Sequence, residues 1–469
     1  MANDLARWQF ATTSVYHFFF VPVTIGLAFL VAVLETVWVR TDDPEYKRMT
    51  RFFGTLLLIN VAVGVVTGLV QEFEFGMNWS TYSKFVGGVF GAPLAMEGLA
   101  AFFLESTFLG LWLFGWNRLP KRVHLATIWA VAIGAMLSAL FILIANSWMQ
   151  HPVGYRMNQQ GQPVLKNIWA LFVNPTFVWG YAHVILASLI TGCLVVLAVS
   201  AWYLRKQEHV EPFHRTAKVA LIVLIPTIVI QLSVGNQLGV IEAHYQPMKI
   251  AAAEAQWDSC KPCSFSALQT GGFGPTHQSA NKIIPIPHLL SILATGTWGG
   301  GVTGLNQLQA QYQKKYGPGN YIPNVAIQYW SMRTMAYLAT LVLLYGLWGA
   351  WILYRGKLRT SRVFLWLGVW LVITPFLMNT AGWLLTESGR QPWIVQGLQK
   401  TVNANSPAVT ATDIWISLSV FVLIYILLGV IDLVLMLRYS RRGLAQADAE
   451  AAEPTSPAGA ATPATALTY

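Results

Sequence analysis

Charge is what this sequence has least of. Only 11% of its 469 residues are Asp, Glu, Lys or Arg, against 55% hydrophobic, whereas a soluble domain carries about 25% charged residues. That shortage excludes an ordinary soluble chain, so the length does not translate into soluble domains. Acidic residues are scarcer than basic ones, 20 against 30. The net charge of +10 does not call for nucleic acid, because a membrane protein gathers its basic excess in cytoplasmic loops. Cysteine is nearly absent, at three residues. Cys193 falls in an apolar run and reads as packing. Cys260 and Cys263 form a Cys-x-x-Cys that lacks the two further ligands a zinc site wants nearby. A local disulfide and a free pair both stay open. No small-residue cleavage site follows the first apolar run, which reads as a retained span. No internal repeat of a transporter kind is visible.

What is present is long apolar runs. Segments of about 20 apolar residues recur near 13–39, 50–72, 92–116, 123–147, 180–204, 216–240, 327–354, 362–385 and 412–437. The expected fold is an all-α integral membrane protein of nine transmembrane helices. Alternate loops are short and basic: Arg40, Lys47, Arg48 and Arg51; Arg118, Lys121 and Arg122; Arg205, Lys206, Arg215 and Lys218; Arg355, Lys357, Arg359 and Arg362; and, after the last span, Arg438, Arg441 and Arg442. The positive-inside rule then places the N-terminus extracytoplasmic and the C-terminus cytoplasmic. The domain reading is spans one to six over 1–240, an extracytoplasmic loop over 241–326, spans seven to nine over 327–442, and a disordered cytoplasmic tail over 443–469. The loop is too long for a plain connection and reads as functional. The tail is rich in Ala, Thr and Pro.

Ionisable groups at membrane depth are costly and mark function. The run Gly382 to Trp393 sets Glu387 three residues before Arg390 where an apolar span ends, between Trp383 and Trp393. Of nine histidines, only His17 and His183 lie inside apolar runs; the others, His124 among them, fall in loops or at edges. Met335 comes early in span seven. Glu97 is expected about 8 Å into span three, with Glu105 about 12 Å deeper. By the topology, the histidines, Met335, Glu97 and Glu387 map to the outer part of the membrane. Imidazole and thioether are haem-iron ligands, and a His/Met pair makes an electron-transfer haem. A secondary transporter or ion channel, with the membrane carboxylates as coupling sites, is the rival reading; a haem-bearing anchor that does not bind oxygen is another.

Several motifs carry a resemblance. Gln9-Phe10-Ala11 with Tyr16-His17-Phe18, Gly91-Ala92-Pro93-Leu94-Ala95-Met96-Glu97-Gly98, Phe102-Phe103-Leu104-Glu105-Ser106, Leu137-Ser138-Ala139-Leu140, Ala145-Asn146-Ser147-Trp148-Met149-Gln150 and Gly389-Arg390-Gln391-Pro392-Trp393 resemble subunit I of the cytochrome bd-type quinol oxidases. The likeness covers nearly all spans. The segment between Gly304 and Met332 is short, as in the short quinol-loop type.

The resemblance implies three haems. His183 and Met335 match the axial ligands of a low-spin haem b (b558 type), with Arg333 beside it. His17 matches a ligand of a high-spin haem, haem d. Glu387 matches the ligand of the high-spin haem b (b595 type), with Trp383 among the cofactor contacts. Glu97, Glu105, Ser138 and Arg390 match the oxygen-reducing machinery, Glu105 and Ser138 as a proton route. Lys249 and Glu254, in Lys249-Ile250-Ala251-Ala252-Ala253-Glu254-Ala255-Gln256-Trp257, match the quinol-binding stretch of the external loop. The expected function is quinol oxidation at the outer face, with Glu254 accepting a hydroxyl proton, and reduction of oxygen to water with cytoplasmic protons and no pump. The expected location is the bacterial cytoplasmic membrane. The expected partners are a second multi-span subunit, a small single-span accessory subunit, quinol, oxygen and membrane lipid.

Overall fold

The computed structural model describes residues 2–276 and 280–444. From residue 445 the expected disordered tail lies outside the described residues. Among those described, nine helical segments are long and apolar enough to cross a membrane. The first are α1 (Ala2–Thr41), α2 (Pro44–Met77), and a third span made of α3 (Ser80–Met96), a π-helical turn (Glu97–Phe102) and α4 (Phe103–Gly115); α5 (Lys121–Gln150) follows. A small antiparallel hairpin, β1 (Tyr155–Met157) and β2 (Pro163–Leu165), and the single turn α6 (Trp169–Phe172) lead to α7 (Pro175–Lys206) and α8 (Val210–Tyr245). The long connection is structured. It holds α9 (Pro247–Ala253), the antiparallel pair β3 (Phe265–Gly271) and β4 (Ala280–Ile286), α10 (Leu289–Thr295) and α11 (Leu305–Tyr316). Then come α12 (Val325–Tyr354) and an eighth span of α13 (Arg362–Trp370), α14 (Thr374–Trp383) and a second π turn (Leu384–Ser388). The two-stranded ladder β5 (Trp393–Val395) and β6 (Gln399–Lys400) and the last helix, α15 (Ala411–Arg441), complete the order.

Local chemistry sets the helix starts. Asp43 and Asn174 each cap a helix that opens on proline, accepting from the Glu45 and Thr176 backbone N–H groups, since proline is pre-set for the first helical position and lacks the orphan donor. Thr410 and Asp413 form a reciprocal capping box ahead of α15. The spans alternate in direction, so the short basic turns gather at one end of the bundle. The hairpins and the 246–324 connection gather at the other, the hairpin end.

The core sits where α1 and α7 cross. A Cβ on Gly26 would lie 2.3 Å from the Ser188 carbonyl oxygen, and one on Gly192 would lie 2.4 Å from the Gly26 carbonyl carbon. Backbones touch there because neither residue has a side chain, the packing that small residues allow between membrane helices. Burial then falls toward the periphery: the most apolar window of α7 is 67% buried and that of α15 only 6%.

Two expectations change. Span three begins near Ser80, about a dozen residues before the expected start; Gly87, Gly88 and Lys84 make that stretch read as loop. Glu97 thus stands 17 residues along from Ser80, roughly 25 Å of helix, and not in the outermost turns. His124, expected at an edge, is 1% exposed within the first turn of α5.

Candidate functional site

His17, His183, Met335 and Glu387 all lie in the half of their spans nearer the hairpin end. The His17 Nδ1 is 2.9 Å from the Thr67 hydroxyl, and that hydroxyl donates to the Gly64 carbonyl at 2.9 Å. A hydroxyl has one hydrogen. Having given it to Gly64, Thr67 accepts from Nδ1–H, and the lone pair of His17 is left on Nε2. Gly68 faces the ring so closely that a Cβ would lie 3.1 Å from its Cε1.

His183 on α7 faces α8. Its Nδ1 is 3.1 Å from the Gln231 amide nitrogen, and the Gln231 Oε1 is buried without a partner. The same amide nitrogen is 3.4 Å from Nε2, and a half-turn of the amide would bring Oε1, an acceptor for the ring N–H, into its place. Gly235 lies against the same ring, and Gly382 lies beside the Met335 sulfur, where a Cβ would be 3.8 Å away. Helix α8 packs on both α7 and α12, the helices that carry His183 and Met335.

Arg333 is fully buried two residues before Met335. Its fork meets both Glu254 oxygens, Nη1 to Oε1 at 3.1 Å and Nη2 to Oε2 at 2.8 Å, and it also donates to the Ala253 and Ser266 carbonyls. The rings of Phe265 and Tyr329 lie over the guanidinium, 4.4 and 3.9 Å from it. Burial pushes the Glu254 carboxyl upward, opposed by Arg333.

Lys249, 3% exposed, donates to Glu242 Oε2 at 2.7 Å and to Gln150 Oε1 at 2.8 Å. Burial pulls its ammonium down from the usual lysine range, opposed by Glu242. Gly389 permits this placement: a Cβ there would lie 2.5 Å from the Lys249 Cγ.

Arg390 pairs with Glu387, whose other oxygen accepts from Asn146 at 2.7 Å. The Arg390 Nε and Nη1 and the Trp393 Nε1 are buried donors without a partner, and both residues line a cleft with Lys249 and Gln246. Trp383 meets Phe18, the neighbour of His17, edge to face at 5.1 Å. Deeper in the bundle Ser138 donates to Glu97 Oε1 at 2.6 Å. The Glu105 backbone packs against Gly134 of the same helix that carries Ser138. Glu97 and Glu387 both sit in π turns, irregularities frequent at functional sites.

Sequence reasoning passed over Thr67, Gln231 and Glu242 and quoted Asn146 and Gln150 only within a motif, without a role, although each is a polar residue in or beside an apolar run. It also passed over Glu74, fully buried and accepting from Thr13 at 2.9 Å. Glu35 was also passed over; it takes bonds from His124 and Trp112 at 2.7 Å each. Cys260 and Cys263 are joined as a disulfide.

Residues 5–444 match the family described as cytochrome bd terminal oxidase subunit I. The chain belongs to that family. It is 44% identical to the cytochrome bd ubiquinol oxidase subunit 1 of Bacillus subtilis (strain 168), over 94% of this chain and 93% of that one. It is 36% identical to the cytochrome bd-II ubiquinol oxidase subunit 1 of Escherichia coli (strain K12), over 97% and 99%. The fold matches the bd oxidase of Geobacillus thermodenitrificans with a TM-score of 0.85 at 28% identity, over 94% and 99%. This bd-type chain is therefore a multi-pass bacterial membrane protein, a subunit of an oxygen-reducing terminal oxidase with a partner subunit.

Membership implies haem, and the residues fit it. His17 has Nδ1 fixed by Thr67 and Nε2 left free, the arrangement in which a histidine can ligate a metal. The unpartnered donors of Arg390 and Trp393 suit an anionic or carbonyl oxygen.

Proposed function

We propose that this chain is the haem-bearing subunit of a quinol:oxygen oxidoreductase that oxidises quinol at the hairpin end and reduces oxygen to water. His183 and Met335 would hold a low-spin haem b, His17 haem d, and Glu387 a high-spin haem b, with Arg333, Trp383 and Arg390 around them. When bound, these groups supply the electron transfer and the oxygen site. Lys249 lines the cleft that takes quinol, and Glu254, gripped by Arg333 outside that lining, belongs to the same quinol loop. One observation carries the reading: the arginine that grips Glu254 stands two residues from Met335 on one rigid helix. The proposed quinol loop and the proposed low-spin ligand are thereby locked together.

The basic end faces the cytoplasm, following the positive-inside rule. Glu105, Ser138 and Glu97 carry protons toward the oxygen site from that side, and the Ser138 to Glu97 bond is the last link in hand. Protons of quinol leave at the hairpin end. Oxygen reduction then charges the membrane by the sidedness of uptake and release, with no pump. The second subunit and lipid cover the faces that the chain itself leaves open, α15 foremost.

The test is oxygen consumption by the purified complex with a short-chain quinol, together with carbon monoxide binding to the reduced protein. The account expects both. Haem bands without carbon monoxide binding would support an electron-passing anchor, and a colourless protein would support a transporter.

A further inference from the structure

One carboxylate within the proposed quinol stretch, Glu254, and one just before it, Glu242, differ in burial and in what they are free to do. Glu254 is 4% exposed and both its oxygens are occupied by a guanidinium that is itself pinned by two backbone carbonyls and two aromatic faces. Arginine does not deprotonate in proteins. A carboxylate so gripped is a poor proton acceptor, since taking a proton would strand a buried cation.

Glu242 is different. It stands one turn before the end of α8, its side chain is 12% exposed, and a single donor, Lys249 Nζ, holds its Oε2. Lys249 uses two of its three N–H groups, on Glu242 and Gln150. Lys249 also lines the adjoining cleft, where Arg390 and Trp393 present unpartnered donors.

We propose that Glu242, acting through Lys249, is the acceptor of the quinol hydroxyl protons, and that Glu254 with Arg333 positions the loop. The inference rests on the quinol-oxidase reading above and deepens it. A Lys249 N–H bond breaks as its proton passes to Glu242 Oε2; a quinol O–H bond breaks as its proton restores the ammonium. Glu242 then releases the proton at the hairpin end, and the cycle repeats for the second hydroxyl. Each quinol loses two protons and two electrons and becomes quinone. Two quinols supply the electrons for one oxygen molecule, the oxidant of the terminal oxidase reaction.

The experiment compares the complex carrying Glu242→Gln, Glu242→Asp or Glu254→Gln with the unmodified one, by quinol-driven oxygen uptake and by dithionite-reduced spectra. Glutamine keeps an oxygen for Lys249 but does not take the proton. Glu242→Gln is expected to lower kcat by about 100-fold or more, the scale of general-base loss. KM should stay within about threefold and the dithionite spectrum should be unchanged. Glu242→Asp, one methylene shorter, is expected to recover turnover to within about tenfold of the unmodified complex. If Glu242→Gln does not assemble, the aspartate variant decides: turnover near that expectation supports the assignment, and turnover as low as a true loss of the base counts against it. Normal kcat in Glu242→Gln would overturn the proposal. So would a pure kcat loss, with KM and spectrum intact, in Glu254→Gln alone. An unmodified complex that consumes oxygen with artificial donors but not with any quinol would instead sink the quinol reading itself.

Discussion

At the scale of single residues, the account turns on how each imidazole is held. Thr67 fixes the His17 tautomer by spending its only hydrogen on Gly64. Thr67→Val removes that acceptor, and metal-site second partners of this kind are worth about 10–100-fold in affinity or activity. The expected result is loss of high-spin haem from the purified complex by pyridine haemochrome assay, with the low-spin bands retained. Glu105→Gln is expected to slow oxygen reduction while leaving the low-spin spectrum intact; loss of every haem signal would point to a structural role. Glu254→Ala leaves Arg333 as a buried unpaired cation, a defect of about 3–5 kcal/mol. It should lower the thermal midpoint of the complex as well as quinol-driven turnover, while dithionite still reduces the haems. His17 and His183 were legible in the sequence because a histidine inside an apolar run stands out. Thr67 and Gln231 were not, because a lone Thr or Gln there is equally a local back-bond to the helix, and only the fold tells which ring it faces. Glu242 hid for another reason: it sits where span and loop meet, and its lysine partner lies on a different helix.

At the scale of elements, glycine decides two close approaches. Gly26 and Gly192 let α1 and α7 touch along their backbones. Gly192→Leu forces side-chain atoms into that contact and is expected to abolish assembly, seen as loss of the monodisperse complex on size exclusion. Gly389 lets the loop after the second π turn lie on Lys249. Gly389→Ala should displace the lysine and raise KM for quinol with little change in dithionite-reduced bands. The span count was readable from hydropathy because each helix is long and apolar. The π turns were not, since no residue type marks them. Nor was the early start of span three, where Gly87 and Gly88 are tolerated inside a helix that packing holds.

At the scale of the whole molecule, the haem ligands proposed here lie toward one end and the basic turns at the other. That polarity was legible from the alternation of Lys and Arg between loops. In proteoliposomes, quinol oxidation is expected to release as many protons on the hairpin side as electrons passed to oxygen; a larger ratio would indicate a pump. The central claim is that iron porphyrins are gripped by side chains from separate helices. The most direct test is the reduced-minus-oxidised optical spectrum of the purified complex, unmodified and with His183→Ala. The account predicts haem bands in the first and selective loss of the low-spin bands in the second. Survival of those bands in His183→Ala, or a colourless unmodified complex, would contradict it.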